Sequence, residues 1–103
     1  VVLAWPPYAD VGYSTLRLPF PAWGATLVIN SGPHNYQRYI IDGLNYITCG
    51  CGNATTTPGP AQAGYQNSRG ALGYVRIQTN AFSIRTAHVR FDGDVFDEFT
   101  IYP

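Results

Sequence analysis

Residues 38–48, RYIIDGLNYIT, contain two runs rich in β-branched and aromatic residues on either side of Asp42-Gly43. Asp-Gly between two such runs is a strong signal for a two-residue hairpin turn, because both turn positions need positive φ angles. The preceding run, TLVINS at 26–31, is apolar almost throughout, as in strands that are covered on both faces. The sequence therefore predicts a buried strand that lies beside a β-hairpin.

The C-terminal third predicts a meander of three strands: ALGYVRIQT (71–79), FSIRTAHVRF (82–91) and VFDEFTIY (95–102). Asn80-Ala81 and Asp92-Gly93 supply the two turns. His88 lies in the middle strand, on the face that it shares with Arg90. We expect it to be an exposed or half-buried cross-strand residue and not a catalytic base.

The N-terminal quarter has weaker signals. VVLA at 1–4 predicts a short buried strand that ends at Pro6-Pro7, and LRLPFPAWGA at 16–25 permits only a short helix or 3₁₀ turn near Pro21–Trp23. Residues 1–103 are thus predicted to form a single α+β, mainly β domain. It has a mixed or antiparallel sheet with a hairpin, a C-terminal meander and one short helix.

Residues 49–70, CGCGNATTTPGPAQAGYQNSRG, predict one long loop rich in Gly, Thr and Pro, and loops of that length are often functional or mobile. Its two cysteines, Cys49 and Cys51, point the same way if the chain is extended. Two small buried thiols are the main interpretation; a strained disulfide or half of a shared metal site are the alternatives. The spacing indicates no Cys–His pair.

Composition limits the classes of function. Charged residues make up 12% of the chain, lysine is absent and the formal net charge is zero, so nucleic acid and anionic membranes are not expected partners. No apolar run approaches the about 20 residues of a transmembrane helix. Asn53-Ala54-Thr55 is a glycosylation sequon, and residues 55–60, TTTPGP, suit O-glycosylation. An extracellular or secreted glycoprotein is the expected setting.

Several motifs follow one another in an order typical of a known family: VVLAWPPY (1–8), PFPAWGA (19–25), GPHNYQR (32–38), IDGLNYITCGCGN (41–53) and GDVFDEFTIY (93–102). This order resembles the C-terminal half of the calcineurin-like metallophosphoesterases, especially the purple acid phosphatase branch. The likeness covers essentially the whole chain. It implies half of an αββα sandwich, and a chain that is a fragment or a processed product.

The resemblance also implies a dinuclear Fe, Zn or Mn centre in the intact family, which activates water and binds the phosphoryl oxygens. Ala4 and Gly32 stand where the family has histidine ligands, and His34 matches the one ligand position that is retained. A lone imidazole does not hold a divalent metal that needs about four donors. We therefore expect no catalytic residue, no cofactor and no phosphatase activity in this chain alone. With a missing N-terminal half, the family activity would be that of a metal-dependent phosphomonoesterase.

Three functions remain open. The first is an acid phosphatase-related pseudoenzyme that pairs with another chain, either the missing half or further copies of itself. The second is an extracellular structural subunit that self-assembles through exposed strands. The third is a carbohydrate- or peptide-binding module that uses Trp5 and Trp23, although Trp23 is expected to be buried in the PFPAWGA motif.

Overall fold

A computed structural model describes all residues from Val1 to Pro103 and contains two β-sheets. The first sheet has five strands: β1 (Val2–Leu3), β2 (Leu27–Asn30), β3 (Tyr36–Ile41), β4 (Leu44–Cys49) and β5 (Tyr65–Arg69). The second has three: β6 (Gly73–Thr79), β7 (Ile84–Arg90) and β8 (Val95–Ile101). A 3₁₀ turn at Ser14–Leu16 is the one helical element. The predicted mainly β class is confirmed.

The five-stranded sheet is mixed, in the order β1-β2-β4-β3-β5. Strands β1, β2 and β4 are parallel, whereas β3 is antiparallel to both β4 and β5. Asp42 and Gly43 join β3 to β4 with φ angles of 50° and 78°, so the predicted hairpin and its turn are confirmed. The second sheet is an antiparallel meander in the order β6-β7-β8, also as predicted.

Both faces of the five-stranded sheet are covered. Side chains alternate between the two faces along each strand, so each strand contributes residues to both. One face packs against the second sheet through Leu27, Tyr36 and Ile47, which contact Val75, Ile84, Phe96, Phe99 and Ile101. The opposite face is covered by the segment between β1 and β2, and its buried side chains are Phe20, Val28, Tyr39, Leu44 and Tyr46. The core therefore has two layers, one on each side of the mixed sheet.

Three predictions for the N-terminal quarter are wrong in part. Strand β1 exists but is not buried, because it forms the edge of the sheet and leaves Val2 82% exposed. No helix or 3₁₀ segment forms at Pro21–Trp23; instead a hydrogen-bonded turn runs from Phe20 to Gly24. Within that turn Phe20 is the residue that enters the core, at 2% exposure, whereas Trp23 is 64% exposed. Trp23 packs edge-on against the Phe20 ring but leaves much of its own surface in solvent.

The predicted loop at 49–70 is shorter than expected. Cys49 is the last residue of β4, and Tyr65–Arg69 forms strand β5 at the edge of the sheet. Strand β5 was missed because its residues are mostly polar, so the apolar alternation that marks a half-buried strand is absent. Its position depends on backbone pairing with β3, which the local sequence does not encode. The chain has no helix whose length and hydropathy would let it span a bilayer.

Candidate dithiol site

Two cysteines and a histidine meet where the end of β4 approaches β7. The Sγ atoms of Cys49 and Cys51 lie 2.8 Å apart, and the Cys51 Sγ lies 3.2 Å from Nε2 of His88. Both cysteines are free. We call these three residues, together with Arg69, the dithiol cluster.

The backbone at Gly50 brings the two sulfur atoms to the same side. Gly50 donates its N–H to the carbonyl of Pro33 at 3.1 Å, and a Cβ at position 50 would lie only 2.5 Å from that oxygen. Only glycine permits this approach. The carbonyl of Cys51 then accepts a hydrogen bond from the N–H of Gly73 at 3.1 Å, which ties the loop to β6. The Cys-Gly-Cys segment is therefore held at both ends.

The imidazole of His88 is fully buried, at 0% exposure, and stacks on the ring of Tyr36 with 5.0 Å between centroids. Arg69 donates from Nε to Nδ1 of His88 at 2.8 Å, and its Nη1 pairs with the Asp94 carboxylate at 2.6 Å. Because a guanidinium can only donate, Nδ1 is the acceptor and the neutral ring carries its proton on Nε2. The Nε2–H group therefore donates to the Cys51 sulfur.

The two thiols are electrostatically unequal. The hydrogen bond from Cys51, with a further contribution from His88, lowers the pKa of Cys49 to about 5, although burial opposes this change. The hydrogen bond with Cys49 and burial both raise the pKa of Cys51. The hydrogen bond that the two sulfur atoms share therefore favours a negative charge on Cys49 and a proton on Cys51.

The sequence placed these residues differently. His88 was expected to be exposed or half-buried, and that expectation is wrong because β7 is the central strand of its sheet and turns this residue toward the first sheet. No Cys–His pair was expected, yet Cys51 and His88 are in contact. Arg69 was assigned to a loop. The sequence does indicate that Cys49 and Cys51, separated by one residue, point the same way in an extended chain. It does not indicate that His88 and Arg69 lie beside them.

His34 and Gly32, which the resemblance relates to metal-ligand positions, do not fit a metal centre. His34 is exposed, and the potential metal-ligand group of His, Cys, Asp and Glu side chains is the one formed by Cys49, Cys51 and His88, which excludes it. A Cβ on Gly32 would lie 2.9 Å from Cε3 of Trp5, and Gly32 has a φ of +109°. A histidine at position 32 would therefore meet both a steric and a backbone obstacle. These two positions therefore do not supply the ligands of a dinuclear metal centre.

The comparisons with known proteins bear on the fold alone. No protein-family model matches the chain, and no curated protein matches it. Among solved structures, GAP50, "the anchor in the inner membrane complex of Plasmodium", is similar over 96% of this chain with a TM-score of 0.88 and 20% sequence identity. The chain spans 34% of the length of that protein.

Proposed function

We propose that this chain is a non-catalytic, metallophosphoesterase-like domain that binds another protein chain along its β1 edge. The observation that supports binding is that β1, one of the two edge strands of the five-stranded sheet, has no strand on its outer side. Ile29 and Ser31 donate to the carbonyls of Val1 and Leu3, so the backbone groups of Val2 point away from β2. An edge with free N–H and C=O groups is a template for an added strand.

Exposed apolar side chains adjoin this edge. Val2 and Trp5 are 82% and 53% exposed, and Tyr13, also exposed, packs against the Trp5 ring at 5.8 Å between centroids. A formal net charge of zero gives the surface little electrostatic protection against association. A partner strand at β1 would cover both the free backbone groups and these side chains.

The partner that we propose is the segment that corresponds to the family's N-terminal half. The motif order of the chain resembles the C-terminal half of that family, and GAP50, which shares the fold, is about three times as long. Without that segment, a second copy of the chain is the expected occupant of the edge, as in the self-assembling subunit.

The test is the oligomeric state of the purified chain and of two matched variants. Wild type should associate as its concentration rises in sedimentation velocity. Val2→Lys should reduce association at least tenfold, because charged residues block edge pairing. Val11→Lys places the same charge at another exposed valine outside the strands and should leave association unchanged. A wild-type chain that stays monomeric at high concentration contradicts the proposal.

The absence of catalysis is tested separately. The purified chain should hydrolyse a chromogenic phosphate monoester, in the presence of excess Zn²⁺, Fe²⁺ or Mn²⁺, far more slowly than about 1 per second, the low end of ordinary enzyme turnover. Turnover at or above that rate would overturn the non-catalytic part of the proposal while leaving the binding part intact.

The extracellular setting also belongs to this proposal. Asn53 is exposed in the loop between β4 and β5, where a glycosyltransferase can reach it. Expression through a eukaryotic secretory pathway should add a glycan that the Asn53→Gln variant lacks, as read by intact mass. An unmodified secreted wild-type chain would remove this support.

A carbohydrate- or peptide-binding module remains a lesser alternative. Trp5 and Trp23 are both exposed, as an aromatic sugar platform requires. However, neither residue lines either of the two surface concavities, the larger of which is formed by Tyr8, Asp10, Arg17, Tyr39 and Gln62 among others. Protein binding at the β1 edge is therefore the better-supported function.

A further inference from the structure

We propose that Cys49 and Cys51 form a redox-active dithiol that exchanges with disulfide substrates, in which Cys49 is the attacking thiolate and Cys51 the resolving thiol. The proposal is independent of the β1 edge, which lies at one end of the sheet order whereas the cysteines belong to the central strand and the loop after it.

A directed chain of hydrogen bonds joins Arg69 to the two sulfur atoms. Arg69 Nε–H donates to Nδ1 of His88 at 2.8 Å, and the Nε2–H of His88 donates to the Cys51 sulfur at 3.2 Å. The Cys51 Sγ lies 2.8 Å from the Cys49 Sγ, and with Cys49 as the thiolate the Cys51 S–H is the donor of that contact. Each donor in such a chain polarises the next, so the cation of Arg69 acts on the Cys49 sulfur through two intermediate groups.

The two cysteine residues differ in their exposure to solvent. Cys49, the last residue of β4, is partly exposed, whereas Cys51 is only 1% exposed, so a substrate disulfide reaches Cys49 more readily than Cys51. Reactive cysteines occupy partly exposed, electropositive surroundings, and structural ones are buried and inert. The lowered pKa of Cys49 agrees with this assignment of roles.

The hydrogen bonding of His88 favours a redox site over a metal site. Cys49, Cys51 and His88 have ligand atoms within 4.8 Å of one another, which is compatible with a soft metal ion. A histidine that binds a metal through Nε2 normally donates its Nδ1–H to a carboxylate or carbonyl. Here Nδ1 accepts from Arg69, which leaves the proton on Nε2 and removes the lone pair that a metal would need. The hydrogen bond from Arg69 to His88 thus favours a thiolate beside Nε2 over a metal ion.

The thiol–disulfide exchange needs only the two cysteines and the substrate disulfide. The Cys49 thiolate attacks one sulfur of the substrate disulfide, a new S–S bond forms, and the substrate's other sulfur leaves as a thiolate. Cys51 then attacks Cys49, releases the second substrate sulfur as a thiolate and gives up its own proton to a released thiolate. The dithiol loses two electrons and its one proton; the substrate disulfide is reduced by two electrons.

A disulfide between Cys49 and Cys51 would be readily reversible because the two residues are so close in sequence. A bond between residues separated only by Gly50 closes a small ring, and strained disulfides are the labile ones that exchange readily. Since Gly50 is fixed against Pro33 and Cys51 against Gly73, the backbone cannot relax freely around the new bond. A strained, partly accessible pair suits exchange better than it suits a structural crosslink.

The test uses the full chain, oxidised glutathione as the substrate disulfide and intact-mass analysis. Wild type should lose two hydrogens without keeping an adduct and should recover its mass in dithiothreitol. Cys51→Ser should keep one glutathione on Cys49, because no thiol resolves it. Cys49→Ser should remain unmodified, because the remaining thiol is buried.

A pH profile of iodoacetamide labelling tests the hydrogen-bond chain. The labelling midpoint of Cys49 should lie below pH 7, against about 8.5 for an unperturbed cysteine. Arg69→Lys, which cannot reproduce the Nε donor, should raise the midpoint by at least one pH unit; Arg85→Lys, a surface arginine on β7, is the matched control and should not shift it.

Three results would overturn the proposal. The first is a wild-type chain that keeps the glutathione adduct or forms no internal disulfide. The second is equal labelling of Cys51 in the Cys49→Ser variant. The third is tight binding of Zn²⁺ by the reduced chain that is lost in His88→Ala, since this would assign the cluster to a metal.

Discussion

Arg38 and Asp97 form a two-pronged ion pair that joins the two sheets. Arg38 donates from Nε to Oδ2 at 2.7 Å and from Nη2 to Oδ1 at 2.9 Å, and the Tyr36 hydroxyl donates to the same carboxylate at 2.6 Å. Asp97 has a φ of 51° within a bulge of β8, which turns its side chain toward the first sheet. The Arg38 guanidinium also lies over the ring of Phe99, at 4.1 Å from its centroid.

Asp97→Asn should therefore destabilise the fold strongly. The side chains of Arg38 and Asp97 are only 13% and 7% exposed, so the variant leaves a largely buried guanidinium without its counter-charge. We expect a loss of about 3 kcal/mol in the free energy of unfolding, the lower end of the range for broken buried pairs. Glu98→Gln is the control. It removes only surface pairs with Arg76 and Arg85, which solvent screens, so it should destabilise the fold far less than Asp97→Asn.

The same pair predicts a pH dependence. Burial alone would raise the pKa of Asp97, but hydrogen bonds from Arg38 and Tyr36 outweigh it and hold the pKa below its ordinary value. A carboxylate with a lowered folded pKa stabilises the protein fully above its unfolded pKa of about 3.9 and loses that contribution as the pH falls through the folded pKa. The stability difference between wild type and Asp97→Asn, from urea unfolding, should be constant above about pH 5 and shrink below it. A difference that grows toward low pH would contradict this sign.

Phe20 and Trp23 should respond oppositely to truncation. Phe20 is buried in contact with Val28, Tyr39 and Tyr46, so Phe20→Ala should cost about 3–5 kcal/mol. Trp23→Ala should cost about 1 kcal/mol or less, because most of its surface is already in solvent. Thermal or urea unfolding of the two variants decides between them. Equal losses would place Trp23 in the core after all.

The turn of the β3–β4 hairpin depends on Gly43. Its φ of +78° is unfavourable for any residue with a Cβ, so Gly43→Ala should cost about 1–2 kcal/mol even though a Cβ there would meet no neighbour. Gly52→Ala is the matched control, since Gly52 also has open space around it but no positive φ. Similar melting temperatures for both variants would rule out backbone strain as the cause.

His34 should contribute neither to stability nor to metal binding. Its side chain is exposed and outside the only ligand group, so His34→Ala should leave the melting temperature unchanged to within about 1 °C, the usual range for surface substitutions. Mn²⁺ is the suitable probe because it prefers oxygen ligands to the thiols of the dithiol cluster. A Mn²⁺-dependent rise in melting temperature that His34→Ala abolishes would show a metal site at this residue.

The hairpin, the meander and their turns could be predicted because short-range residue preferences determine them. Asp42-Gly43, Asn80-Ala81 and Asp92-Gly93 each fall between strands, because turn residues act over only a few positions. Burial was less predictable at the ends of the sheet order. Val2 is as apolar as Val28, yet one is exposed and the other fully buried, since strand order decides which of them has neighbours on both sides.

Most of the candidate dithiol site could not be predicted from the sequence. Cys51 and His88 are 37 positions apart, and Arg69 and His88 are 19 apart. Their meeting depends on how the second sheet packs on the first. His34 was a candidate because it lies in the GPHNYQR motif. The residues of the dithiol cluster, which do converge in space, belong to no motif that predicts their contact. Proximity across sheets is a property of the packed chain and not of any short segment.

The packing of Trp5 against Gly32 limits which residues position 32 can hold. A Cβ there would lie 2.9 Å from Cε3 of the indole, and the φ of +109° disfavours every residue except glycine. A larger side chain at position 32 would require the Trp5 ring to move and the main chain to take a new angle, so we expect the two loops to vary together in sequence.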